Sequence, residues 1–357
     1  MRPSMSGPSG IGATTGMRRN SPHPHTDKAV IEKNRMGEFD FIEKIRSLCA
    51  AATLPTGVVG IGDDCAVVPY GEAGDTVVTT DMLVEGVHFL RSDATPEQVG
   101  HKAAAVNLSD IAAMGATPIG AFLSIALPKD AQGEWAERFV EGFCRTLSRY
   151  GTPLLGGDTT SSLRDVCVNV AVVGHCESGR ALLRSGAQVG DTIYVTGPLG
   201  DSGAGLKVIL SPDGERTAEA TRLVERHYTP TPRLSEGYAL AHSGEAHAMM
   251  DISDGIASDL GHILKASAVA AEVDIALVPT SEELRHESVR RGWNVAELAL
   301  AAGEDFELLV VGTERLPSVV DFPLYPIGRI VEGPAGTIKW LSKGAPTQLN
   351  VQGYRHF

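Results

Sequence analysis

The chain lacks the features that would tie it to an oxidising compartment, a membrane or a nucleic acid. Its five cysteines (Cys49, Cys65, Cys144, Cys167 and Cys176) are odd in number and form no C-x-x-C pair. That argues against a disulfide framework or a zinc ribbon and fits a reducing cytoplasm. No apolar run approaches the roughly 20 residues that span a bilayer. The first 35 residues hold no hydrophobic core of the kind a signal peptide needs. Basic residues number 31 against 44 acidic ones, and the net charge of −13 weighs against nucleic acid or anionic membrane as a partner.

Two familiar site patterns are missing as well. The run Gly197-Pro198-Leu199-Gly200-Asp201-Ser202-Gly203-Ala204-Gly205 follows a strand pattern and precedes a helical one. It has no Gly-Lys-Ser/Thr and no clean dinucleotide fingerprint, so it reads as a turn and helix start. No Ser-His-Asp arrangement calls for a nucleophilic mechanism, and no protein nucleophile is expected.

Short acidic motifs are plentiful instead: Gly62-Asp63-Asp64, Thr79-Thr80-Asp81, Asn107-Leu108-Ser109-Asp110, Gly156-Gly157-Asp158, Asp251-Ile252-Ser253-Asp254 and Gly303-Glu304-Asp305. Any one of them alone is an ordinary turn sequence. Together they offer hard oxygen ligands beside backbone that can approach a ligand closely. Magnesium favours such oxygens and is usually held by one or two carboxylates plus substrate phosphates. The set therefore suggests several magnesium ions gathered around a polyphosphate. Asp110 stands out, because a carboxylate inside an Ala-rich helix needs a partner if buried. His88 is by itself more often structural than functional. Arg184 reads equally as a solvated surface residue or as a partner for phosphate oxygens.

The 357 residues, 43% of them hydrophobic, are enough for two domains with proper cores. Residues 1–35 are rich in Pro, Ser, Gly and Thr without apolar periodicity and read as a disordered extension. Met36 opens a helical pattern with Phe39, Ile42, Ile45 and Leu48 in phase. Strands are predicted at Cys65–Val68 and Thr76–Thr80, with Asp81 at the end of the second. Thr95-Pro96-Glu97-Gln98 predicts a capped helix to Met114 that projects Asn107 and Asp110 from one face. A strand at Ala121–Leu127, a helix at Glu134–Arg149, a Gly156-Gly157-Asp158 turn and a strand through Val166–Val172 follow. Glu177–Gly190 reads as an interdomain connection, dividing an α+β domain at 36–176 from an α/β domain at 177–357.

The motifs in their order, extended by Gly60-Ile61-Gly62-Asp63-Asp64-Cys65-Ala66, His88-Phe89, Asp110-Ile111-Ala112-Ala113-Met114-Gly115 and the ending Gly353-Tyr354-Arg355-His356-Phe357, resemble the thiamine-monophosphate kinase family from about Gly37 onward. One departure is Ala302 before Gly303, which leaves Glu304 intact. The resemblance implies a two-domain fold like that of aminoimidazole ribonucleotide synthetase and a homodimer built through the N-terminal domains. It also implies ATP as co-substrate, several magnesium ions, and transfer of a phosphoryl group to thiamine monophosphate. By motif match, Asp64, Thr79, Thr80, Asp81, Asp110, Asp158, Asp251 and Asp254 would serve magnesium. Gly157, Asp158, Arg184 and Ser253 would contact ATP, and His88, Glu304 and Tyr354 the thiamine phosphate. The alternatives are a sister enzyme of the same fold or a non-catalytic nucleotide-binding protein.

Overall fold

A computed structural model describes residues 56–69, 74–211 and 216–348, with Glu43 and Gly353. The extension before Met36, the helix predicted from Met36 apart from Glu43, and Tyr354 lie outside the described residues. Leu48–Arg355 form one compact unit.

A first sheet starts with β1 (Ala66–Pro69) and β2 (Asp75–Val84). Helix α1 (Pro96–Ala113) begins where the local chemistry demands. Thr95 accepts from the Gln98 N–H, and the Gln98 side chain returns to the Thr95 N–H, closing a capping box ahead of Pro96. Next come β3 (Thr117–Leu127), α2 (Glu134–Arg149), β4 (Leu154–Ser161) and β5 (Cys167–Cys176). The strand order is β1-β2-β5-β3-β4, antiparallel except for the parallel β3–β4 pair.

Residues 177–191 carry no helix or strand. The remaining elements are β6 (Thr192–Val195), α3 (Asp201–Ile209), α4 (Ala218–Tyr228), α5 (Leu234–His242), β7 (Ala246–Asp251), α6 (Ile256–Ala266), β8 (Ala270–Asp274), α7 (Glu282–Arg291), α8 (Val295–Ala301), β9 (Leu308–Gly312), β10 (Tyr325–Val331), β11 (Ile338–Ser342) and β12 (Ala345–Pro346). They build a seven-stranded sheet ordered β12-β11-β8-β10-β6-β9-β7. None of the helices among the described residues is long and apolar enough to cross a membrane.

Two expectations need correction. Gly156-Gly157-Asp158 is not a turn but the middle of β4, with Gly157 opposite Leu123 and Asp158 opposite Ser124 of β3. Its backbone pairs with a neighbouring strand, a partner that local turn chemistry cannot foresee. A Cβ at Gly157 would come within 1.7 Å of the Leu123 carbonyl oxygen, so close strand approach explains the glycine. Asp81 lies inside β2 rather than at its end, because pairing with β5 carries the strand on to Val84.

Alternation along the strands sorts the first sheet into two faces. Val77, Leu83, Leu123, Ile125, Val168, Val170 and Val172 turn inward onto α1 and α2, whose Val99, Leu108, Ile111, Phe139, Phe143 and Leu147 complete the core. The opposite face is open: Met82 is 58% exposed and Phe122 42%. A second core of Ile193, Val195, Met250, Leu260, Ile263, Leu309, Val311 and Ile327 joins α6 to the larger sheet. The end of α1 adds Ala112 and Ala113 to a third cluster with Tyr194, Met249 and Leu308. Helix α1 is thus shared between both sheets.

Where α1 crosses α2, both helices have glycine. A Cβ on Gly100 would sit 2.1 Å from the Phe139 carbonyl oxygen, and one on Gly142 2.3 Å from that of Glu97. Those are backbone atoms, so no side-chain rotation relieves the clash. Gly100→Ala should lower stability by about 1–3 kcal/mol through overpacking, although alanine favours an isolated helix. Urea denaturation checks this, and an unchanged midpoint would show that the helices can part freely.

Candidate active site

Strand β2 and helix α1 supply one wall of the site. Thr79 and Asp81 share a face of β2 because strand side chains alternate. The Thr79 hydroxyl donates to Asp110 Oδ2 at 2.5 Å, and the Asp81 N–H donates to Asn107 Oδ1 at 3.1 Å. Asp110 occupies the last turn of α1, where the helix dipole opposes negative charge. Thr80 points the other way, with its hydroxyl donating to the Val170 carbonyl and accepting from Asn169.

The opposite wall comes from the segment after β7. Asp251, only 2% exposed, ends that strand and accepts from the Ser109 hydroxyl at 2.6 Å. The chain then pairs with residues 304–307: Ile252 N–H to the Glu307 carbonyl, Glu304 N–H to that of Ser253, and Phe306 N–H to that of Ile252. Asp254 follows, its N–H bonded to the buried Asp259 carboxylate at 3.2 Å.

Asp64 closes the group from the loop before β1. One oxygen each from Asp64, Asp110 and Asp251 lies within 4.8 Å of the others. Arg184 Nη2 donates to Asp64 Oδ1 at 2.6 Å, and the Arg184 N–H donates to Asp63 at the same distance. Burial first, and then the Asp64 charge, raise the Asp251 carboxyl to about 8 and that of Asp81 to about 6. Asp110 is pushed well above the usual carboxylate range by burial, with Asp81, Asp251 and Asp64 adding to it.

The donor set fits a magnesium ion. Asp64 Oδ2 is buried without a hydrogen-bond partner, as is Arg184 Nε. Three carboxylates held this close repel one another unless a cation or protons intervene. An oxygen-only cluster with an orphaned carboxylate oxygen is the chemistry a hard divalent ion takes.

Glu304 is tied to Ser253 by its backbone N–H, and its φ of +64° is in the left-handed region. Lys102 Nζ donates to Glu304 Oε2 at 3.0 Å and to the His88 carbonyl at 3.0 Å. His88 Nδ1 accepts from the Val84 N–H, which fixes its ring. Burial alone would raise the Glu304 carboxyl, but the Lys102 ammonium, by its charge and its hydrogen bond, holds it below its ordinary value. Gly157 and Asp158 are not brought to the three carboxylates. Their strand is exposed at the sheet edge and lies three places from β2, about 14 Å at 4.8 Å per strand.

The chain matches two family patterns, AIR synthase related protein N-terminal domain over residues 62–176 and C-terminal domain over 188–340. It is 39% identical over 330 residues to the thiamine-monophosphate kinase of Escherichia coli K12, covering 90% of this chain and 98% of that one. The chain belongs to the thiamine-monophosphate kinase family. A solved structure described as AaThiL complexed with AMPPCP and TMP superposes with a TM-score of 0.80 at 35% identity, covering 90% of this chain and 97% of that one. The thiamine monophosphate kinase of Aquifex aeolicus gives 0.74 at 33%, with 87% and 98% covered.

In this member of the thiamine-monophosphate kinase family, three further residues shape the site, and local sequence pattern marks them weakly or not at all. Ser109 lies inside the Asn107–Asp110 motif but has no signal of its own. His227 carries no local signal. Lys102 has one: a lysine immediately before the apolar stretch Ala103–Val106 of α1, where an unpaired buried charge is costly.

The raised carboxyls set a pH dependence. Their folded values lie above the unfolded value near 3.9, so the folded state binds protons more tightly than the unfolded one. The associated stability is full below about pH 4 and is lost as pH rises through about 8, the value for Asp251. In EDTA at pH 8, Asp110→Asn should therefore melt higher than the parent chain, with the gap closing below pH 4. Magnesium should raise the parent's melting temperature more than the variant's. Differential scanning calorimetry decides, and a variant that melts lower at pH 8 in EDTA would contradict the crowded-charge account.

Proposed function

We propose that this chain transfers a phosphoryl group from ATP to thiamine monophosphate by direct in-line attack, giving ADP and thiamine diphosphate. The supporting observation is the convergence of Asp64, Asp110 and Asp251 from three separated segments, in a chain of this family. A phosphate monoester is mostly dianionic at pH 7, its second pKa being about 6, so its oxygen attacks without a strong base. The obstacle is repulsion. One unit-charge pair at 4 Å is worth roughly 4 kcal/mol at an effective dielectric of about 20, and two polyanions oppose each other several times over. Magnesium bound at the carboxylates would supply the charge that offsets this.

The residues divide by what surrounds them. Asp64, Asp110 and Asp251 hold metal, with Thr79, Asp81, Asp158 and Asp254 completing the ligand set and Thr80 joining only through its backbone. The orphaned Arg184 Nε–H suits a phosphate oxygen, and Ser253 with Gly157 and Asp158 completes the ATP side. His88, Glu304 and Tyr354 take the thiamine monophosphate. We place the protein in the cytoplasm, consistent with free thiols at Cys65, Cys144, Cys167 and Cys176, and read 36–176 and 177–357 as its two domains.

The assay is ADP formation across acceptors, using full-length protein with magnesium and ATP. Thiamine monophosphate should be phosphorylated, and unphosphorylated thiamine should react poorly because its alcohol lacks an anionic oxygen. Asp110→Asn and Asp254→Asn should each lower turnover by about tenfold or more and raise the magnesium requirement. Rapid phosphorylation of thiamine, or unchanged magnesium dependence in both variants, would sink the reading.

A homodimer through the open face of the first sheet belongs to the same proposal. That face presents Met82 and Phe122 to solvent, and edge strand β4 has all eight residues exposed. A second copy docked there would cover the apolar face and bring Gly157 and Asp158 within reach of a site that one chain leaves without them. Phe122→Glu should convert dimer to monomer in multi-angle light scattering and depress activity. A wild-type chain that runs as a monomer at micromolar concentration would refute the assembly.

A further inference from the structure

We infer that Lys102 is a positioning residue for the phosphate acceptor: its single buried ammonium holds the Glu304 carboxylate and the His88 backbone in one fixed arrangement. The inference rests on the acceptor reading proposed above. Lys102 is 1% exposed, donates at 3.0 Å to Glu304 Oε2 and at 3.0 Å to the His88 carbonyl, and lies 6.0 Å from the centre of the Tyr228 ring. His227 Nδ1 also approaches Glu304, at 3.5 Å. Burial, then Lys102 itself, depress that imidazole to about 3, so His227 is neutral near pH 7 and the cation beside Glu304 is Lys102.

Stability does not account for this arrangement. A buried ion pair is commonly no better than an apolar pair of the same volume, because both ions lose their hydration. What the pair supplies is geometry. Lys102 and Ser109 lie seven residues apart on α1, nearly two turns and about 10.5 Å along its axis. They project from one side, Lys102 to Glu304 and Ser109 to Asp251. The two acids sit on segments hydrogen-bonded to each other through Ser253 and Glu304. Helix α1 thereby sets the spacing between the acceptor side and the carboxylates, and Lys102 is the end of that spacer which touches the acceptor residues. Glu304 has little freedom to compensate, since its backbone is held at φ +64°.

The test is a double-mutant cycle on the full chain with Lys102→Met, Glu304→Gln and the double variant. Affinity for thiamine monophosphate is read by titration calorimetry without nucleotide or magnesium, and KM and kcat by ADP release. Lys102→Met should weaken thiamine monophosphate binding and raise its KM about tenfold, while the KM for ATP stays within about twofold. If Lys102 acts through Glu304, the double variant binds no worse than Glu304→Gln alone. Should Lys102→Met fold poorly, the comparison of Glu304→Gln with the double variant carries the same test, because the double variant leaves no unpaired buried charge. Additive losses, or equal rises in both KM values, would overturn the positioning role. A wild-type chain that does not phosphorylate thiamine monophosphate would instead overturn the proposed function, and the two failures are distinct.

Discussion

Three carboxylates forced within 4.8 Å of one another are the constraint around which the rest of the molecule is arranged. In water such groups would separate. Here they are held by the loop before β1, by α1 and by the end of β7, and the cost of burying and confining like charges appears as raised carboxyl values at Asp81, Asp110 and Asp251. A scaffold can sustain that cost only if its own packing is firm, and the cores on both sides of α1 supply it.

The surroundings temper the repulsion without abolishing it. Arg184 takes one oxygen of Asp64, Thr79 donates to Asp110, and Ser109 donates to Asp251. Each of these donors leaves carboxylate lone pairs unused, and Asp64 Oδ2 has no partner at all. A site built for stability alone would have closed that gap with another donor. The incomplete satisfaction is what makes the cluster receptive to a divalent ion, consistent with a reaction whose difficulty is electrostatic rather than one of proton removal.

Helix α1 links these requirements. Its inward face fills the core of the first sheet, its last turn carries Asp110, and Lys102 and Ser109 reach acids from the other half of the chain. The glycines at its crossing with α2 let the two backbones approach closely enough to hold it in place. The helix that binds the halves together is also the one that orders the site.

Much of this was legible along the chain. The capping box at Thr95 and Gln98, the apolar stripe of Glu134–Arg149 and the alternation through Val168, Val170 and Val172 are encoded within four residues of each position, where propensity and periodicity act. The acidic motifs likewise announced their chemistry by composition and order. What the sequence could not determine was which of them meet. The contacts that define the site join residues 31, 142 and 202 positions apart. Gly156-Gly157-Asp158 became strand because β3 lay beside it, Asp81 stayed inside β2 because β5 extended it, and Thr80 lost its hydroxyl to the opposite face by strand alternation. Local rules act over a turn or a pleat. The pairing of distant segments is settled by how the whole chain buries its apolar faces, and only the tertiary structure carries that answer.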